Sequence, residues 1–163
     1  MRGLDALTEE DLERFCEVNR VAATLHRLSV PTSTVADAAA AVGTDTGRIV
    51  KSLVFLADGE PVLAVAAGEG RVTYPLLAEA LGISRKRLRF ATADEALAVT
   101  GYRVGAMPPF GHRIKLPTLI DARTVPDAGT VLAGGGGVSA LLELDAGDLH
   151  EVTSARRVAL SND

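Results

Sequence analysis

Ile49-Val50-Lys51-Ser52-Leu53-Val54-Phe55-Leu56-Ala57 is the stretch on which the fold turns. It is β-branched and apolar at both odd and even positions, the composition of a strand buried on both faces. Asp58-Gly59 follows as a hairpin turn signal, and Pro61 to Ala67 reads as the returning strand. A central hairpin buried on both sides needs other elements to cover it.

Those elements can be read on either side. Upstream, Thr8-Glu9-Glu10-Asp11 has the form of a capping box, and the spacing of Leu12, Phe15, Cys16, Ala22 and Ala23 predicts a helix from about Glu9 to Leu28. Pro31 and Thr32-Ser33-Thr34 break it, and Val35 to Val42 reads as an Ala-rich helix closed by Gly43. Downstream, Tyr74-Pro75 opens a short helix that Gly82 ends, and Leu88 to Phe90 reads as a brief strand. Thr92-Ala93-Asp94-Glu95 caps a further helix that stops at Gly101. From Tyr102 to Leu144 the apolar runs Thr118-Leu119-Ile120, Thr130-Val131-Leu132 and Ala140-Leu141-Leu142 are short and punctuated by Gly and Pro, as strands and tight loops are. A last short helix follows Asp145. No linker or repeat divides the chain, so residues 1–163 read as one α+β domain with a mixed sheet.

Composition sets the outer limits. A chain of 163 residues supports one core, and folding at this length hides roughly 68–70% of the unfolded surface. Hydrophobic residues make up 47% but aromatic residues only 4%, with no Trp, so that core is aliphatic. Cys16 stands alone, which excludes an internal disulfide and a thiolate zinc cluster and suits a reducing compartment. Acidic residues occupy the amino terminus where a signal peptide needs an apolar run, and no segment approaches about 18 uninterrupted apolar residues. The expectation is a cytoplasmic protein with no membrane partner. A net charge of −4 argues against general coating of nucleic acid, and no DNA partner is expected, although a local basic patch stays open.

Several chemistries drop out. His26, His112 and His150 are far apart without acidic partners at ligand spacing, so no metal site is expected. GxSxG is absent, as is any Gly-Lys, which removes the nucleophile elbow and the phosphate-binding P-loop. Gly135-Gly136-Gly137-Val138-Ser139-Ala140 satisfies GxGxxA, but too little chain follows for a dinucleotide-binding unit; a flexible turn is the plainer reading. Four glycines in a row, from Gly134, nevertheless suggest that something approaches this backbone closely.

Three features remain as candidates. Lys51 is one of three lysines against fourteen arginines, yet it lies in the most apolar strand, either snorkelling to water at the strand's start or serving a site. Gly105-Ala106-Met107-Pro108-Pro109-Phe110-Gly111-His112 is a rigid loop with approachable backbone, either a structural corner or a ligand wall. Arg85-Lys86-Arg87-Leu88-Arg89 packs four cations into five residues, a solvated corner or a patch for phosphates.

Taken in order, Thr34 to Gly43, Gly47 to Phe55, Thr100-Gly101-Tyr102 leading to the Gly105–His112 loop, and Pro117 to Asp121 resemble the YbaK family, which is related to the editing domain of bacterial prolyl-tRNA synthetases. The resemblance spans roughly residues 21–152. It implies an α+β fold with a six- or seven-stranded mixed, barrel-like sheet flanked by helices, and a hydrolase that cleaves the ester of mischarged aminoacyl-tRNA without a cofactor. By the same resemblance Lys51 is the key polar group. Ser52, Gly105, Ala106, Met107, Pro108, Pro109, Gly111, His112, Gly135 and Gly136 are candidates to enclose the substrate, and Arg85, Lys86, Arg87 and Arg89 to meet tRNA phosphates. The implied partner is the 3′ end and acceptor stem of an aminoacyl-tRNA, with an aminoacyl-tRNA synthetase as a further one. A non-catalytic module that binds tRNA, nucleotide or amino acid in the same cleft is the alternative.

Overall fold

The computed structural model describes residues 5–162, so Met1 to Leu4 of the amino-terminal reading lie outside the described residues. Within them run five helices: α1 (Glu9–Val18), α2 (Val35–Val42), α3 (Tyr74–Leu81), α4 (Ala93–Thr100) and α5 (Ala146–Thr153). Eight strands accompany them: β1 (Ala23–Arg27), β2 (Val50–Ala57), β3 (Glu60–Ala67), β4 (Leu88–Phe90), β5 (Thr118–Asp121), β6 (Thr130–Gly134), β7 (Ala140–Asp145) and β8 (Arg156–Val158). The α+β mixed class is as expected, with the strands shared between two sheets.

The hairpin forms as its sequence dictates. Asp58 and Gly59 take φ of 54° and 84°, the left-handed pair that a tight two-residue turn requires, and pairing runs from Ala57 opposite Glu60 to Val50 opposite Ala67. Around it the larger sheet has the order β4-β2-β3-β5-β8, with β5 parallel to β3 and β8 parallel to β5. The smaller sheet, β1-β7-β6, is antiparallel throughout. A single parallel bridge, Ile49 to Leu132, ties β6 to the start of β2.

Alternation along β2 sorts its side chains into different clusters. Val50 and Val54 face the main core, shared with Leu12 of α1, Val131 and Leu142 of the small sheet and Leu149 of α5. Leu53 and Phe55 face the other way, onto Leu77 and Ala78 of α3. Ile49, on that same side, is covered by Ala38 and Ala39 of α2. Short helices are enough because each buries only two or three residues.

The first helix is shorter than its pattern predicts, ending at Val18 instead of near Leu28, and residues 23–27 form β1 on the edge of β7. The amide of Arg20 donates to Glu17 and that of Val21 to Cys16, the two bonds of a helix-ending Schellman motif, with Arg20 at φ 55° where glycine usually stands. The missing glycine is why the sequence conceals this stop. β8 was hidden too: three residues, two of them arginines, become a strand only because β5 offers an open edge.

Asp121 closes the far side of the large sheet. It is fully buried, and its carboxylate accepts from the Ser161 hydroxyl (2.6 Å), the Thr124 hydroxyl (2.7 Å) and the amides of Leu160 (2.8 Å) and Arg123 (3.3 Å). Burial alone would raise its pKa, but these four bonds outweigh it and hold the carboxyl below its ordinary value. The charged form is therefore favoured by folding, so this contribution is complete above the unfolded carboxyl's pKa of about 3.9 and is lost as pH falls further, through the lower folded value. Asp121→Ala strands two hydroxyls and two amides, and chemical denaturation should show a loss of about 3 kcal/mol or more. A loss below about 0.5 kcal/mol would mean that the carboxylate does not hold the chain's end to β5.

Candidate functional site

Lys51 is the second residue of β2, opposite Ala66 of β3. By alternation its side chain shares a face with Ile49 and Leu53. Ile49 lies under α2 and Leu53 under α3, so Lys51 emerges in the gap between the two helices. Half-buried, it forms no ion pair among the described residues. Burial pushes its pKa down, Arg71 nearby pushes it down further, and Glu69 partly opposes them. An ammonium with no carboxylate bonded to it keeps its charge available for something else.

The Gly105 loop meets the glycine run at the same place. A Cβ added to Gly134 would stand 2.2 Å from the Met107 carbonyl oxygen, and the Gly136 amide donates to the Ala106 carbonyl at 2.8 Å. Gly105, at φ +91°, packs against Ser33 immediately before the Thr34 cap of α2. Continuing the Ile49–Leu132 parallel register by two residues sets Lys51 abreast of Gly134. The start of β2, the Gly105 loop, the glycine run and the start of α2 are thus neighbouring segments, and the cleft they would frame around Lys51 is the candidate site.

Other candidates fall elsewhere. Ser52 points to the opposite face from Lys51, and its buried Oγ has no hydrogen-bond partner among the described residues. The loop turns away after Pro108. Gly111 packs on Phe15, and the Nε2–H of His112 donates to the Pro108 carbonyl at 2.7 Å, with its ring edge-on to Tyr102. Burial lowers the His112 pKa more than that bond raises it, so the ring is a neutral brace for the loop. Pro109, Gly111 and His112 line a separate cavity behind the loop.

The cationic run is mostly engaged. Arg85 stacks on Tyr74 at 3.9 Å and donates to the Leu88 carbonyl. Arg87 pairs with Asp58, and Arg89 makes a two-pronged contact with Glu95 (2.8 and 2.6 Å) that holds the Glu95 carboxyl at about 2. Lys86 has no side-chain partner among the described residues. Arg89 sits opposite Leu56, five residues along β2 from Lys51, or about 17 Å. No group of three His, Cys, Asp or Glu residues able to hold a metal occurs among the described residues.

Ser33 carries no site signal in the sequence, and Gly134 carries only that of the glycine run it opens. The partner of Gly134, the Met107 carbonyl, is a tertiary fact.

Comparison with known proteins bears on this cleft. The profile of the aminoacyl-tRNA editing domain matches residues 29–152, a span that contains Ser33, Lys51, the Gly105 loop and the glycine run. The chain belongs to the aminoacyl-tRNA editing domain family. Among its relatives, proline–tRNA ligase of Nitratidesulfovibrio vulgaris (strain DP4) is 34% identical over 100 residues, covering 61% of this chain and 17% of the ligase. An uncharacterized protein of Bacillus subtilis (strain 168), YwhH, is 35% identical over 80 residues, 48% of this chain and 49% of that protein. A crystal structure described as a candidate trans-editing enzyme for prolyl tRNA synthetase superposes with a TM-score of 0.86 at 29% identity, covering 95% of this chain and 97% of that one. The match takes in only a small part of the ligase, and the fold of this editing domain agrees with that of the free-standing neighbour. No helix among the described residues is long and apolar enough to cross a membrane.

Proposed function

We propose that this editing domain is a trans-acting deacylase that hydrolyses the ester of a mischarged aminoacyl-tRNA in the cytoplasm. The observation that supports the reading is an unpaired, half-buried Lys51 on β2, whose register runs beside the glycine run that meets the Gly105 loop. An aminoacyl ester is already activated, so its hydrolysis needs a placed water, a stabilised oxyanion and a pocket that admits the amino acid; it needs no nucleophilic side chain. Water adds to the carbonyl carbon, and the resulting oxyanion is held by the Lys51 charge. The bond to the ribose oxygen then breaks, that oxygen takes up a proton, and free amino acid and tRNA leave. A wall built from glycine lets the backbone approach the bound amino acid closely, and a pocket that hydrolyses only what can enter it is the second sieve of a proofreading system.

The likeness to proline–tRNA ligase and to the candidate trans-editing enzyme supports the products of erroneous proline charging as substrates. The test is release of amino acid from a panel of tRNAs mischarged with alanine, cysteine and serine, beside correctly charged prolyl-tRNA. Catalytic release from at least one mischarged tRNA is expected. Retention without turnover would make the chain a binding module instead.

Docking of the acceptor stem to the cationic run has a separate signature. Lys86→Gln with Arg87→Gln should flatten the log–log salt dependence of tRNA affinity by about 1.5, since each lost phosphate contact removes roughly 0.7–0.9. Hydrolysis of a minimal aminoacyl-adenosine should stay at the parent rate. An unchanged slope would leave Arg87 to its pair with Asp58 and Lys86 as a solvated cation.

A further inference from the structure

Behind the Gly105 loop lies a cavity of about 430 Å³ between the end of α1, the segment 109–118 and α5, within the size range of small-molecule sites. It is distinct from the Lys51 cleft, whose residues do not line it. At its base Phe15 and Phe110 stack with ring centroids 5.5 Å apart, and Phe110 is 5% exposed. Four charged side chains line it as well: Arg20 and Lys115 from the two loop segments, and Asp148 and Glu151 one turn apart on α5. None of the four is ion-paired among the described residues, although two cations and two anions border one cavity. Arg20 moreover holds a left-handed backbone (φ 55°) at this edge, a conformation uncommon for a residue with a side chain.

We infer that this cavity is a binding site for a free α-amino acid with a large apolar side chain. The side chain would occupy the aromatic base, the carboxylate would face Arg20 and Lys115, and the ammonium would face Asp148 and Glu151. Such a ligand uses the aromatic floor and both unpaired charge pairs at once. Arg20, Lys115 and Glu151 are exposed and Asp148 is half-buried, so all four are free to meet a ligand at the cavity mouth; a purely anionic ligand would meet the two acids, a cationic one the two bases, and an uncharged apolar one would gain from none of them. The inference does not rest on deacylation.

Titration of the full chain with L-phenylalanine and L-leucine, followed by calorimetry and by amide chemical shifts, tests it. Saturable binding is expected, with the largest shifts at Val21, Gly111 and Val152. N-acetyl-L-phenylalanine and L-phenylalaninamide, each lacking one charge, should bind about tenfold more weakly, the scale of one lost charge-assisted contact. In Asp148→Asn/Glu151→Gln the preference for L-phenylalanine over its N-acetyl derivative should vanish, and in Lys115→Gln the preference over the amide should shrink. Absence of saturation, shifts centred on Lys51 and Gly134, or equal affinity for all three compounds in the parent protein would each overturn the site. Deacylation assayed on the same preparations reports separately on the Lys51 cleft, so the two readings can fail independently.

Discussion

Lys51→Ala should lower kcat/KM for the responsive mischarged tRNA by about 10²–10³, or roughly 2.7–4 kcal/mol of transition-state stabilisation, the usual loss when one preorganised group is removed from an oxyanion site. Folding should survive, because the side chain forms no ion pair and is only half-buried. The pH profile sharpens the expectation. The charged ammonium is the useful form, and burial together with Arg71 lowers the pKa at which it is lost, so activity should decline with rising pH before the ordinary lysine value of about 10.4. Arg71→Gln removes a repelling charge and should move that decline to higher pH; Glu69→Gln removes an attracting one and should move it lower. A Lys51→Ala protein with parental turnover, or a decline indifferent to both neighbours, would reduce the lysine to a structural part of β2.

Gly134→Ala should be strongly damaging. The added methyl would stand 2.2 Å from the Met107 carbonyl oxygen, 2.7 Å from its carbonyl carbon and 3.0 Å from the Ala106 oxygen. All three are backbone atoms, so no rotamer change relieves the contact, and the Gly105 loop must be displaced as a unit. Overpacking of this kind typically costs about 1–3 kcal/mol, and a shift near 1 Å in a positioning wall can cost on the order of 10²-fold in rate. Gly47→Ala is the control, since its added Cβ meets nothing within 4 Å; its stability should change by no more than about 0.5 kcal/mol. Thermal denaturation and deacylation measured together decide the matter. Parental activity in Gly134→Ala would mean that the loop is not a wall of the working site.

How much of this was legible beforehand depended on how local the determining physics was. The β2–β3 hairpin, the Gly43, Gly82 and Gly101 helix ends and the two capping boxes each rest on a few adjacent residues, and all form as their sequence predicts. The overrun of α1 had a local cause as well, but its sign was an arginine in the conformation usually reserved for glycine, which no residue pattern announces. β1 and β8 were invisible for a different reason: they are strands by virtue of the partner edges they meet, β7 and β5, brought to them from more than a hundred and from about forty residues away.

The candidate site divides along the same line. Sequence by itself determined that a lone lysine sits in an apolar strand and that a Gly-Pro loop and a glycine run exist, because residue type and period are local properties. Only the tertiary structure decided that Lys51 opens between α2 and α3 while Ser52 is turned into the core, that the Gly105 loop lies on Gly134 while its second half braces a separate cavity, and that Arg87 and Arg89 are occupied by Asp58 and Glu95. Those are contacts between segments distant in the chain, set by how sheets and helices pack, and no single stretch of sequence contains them.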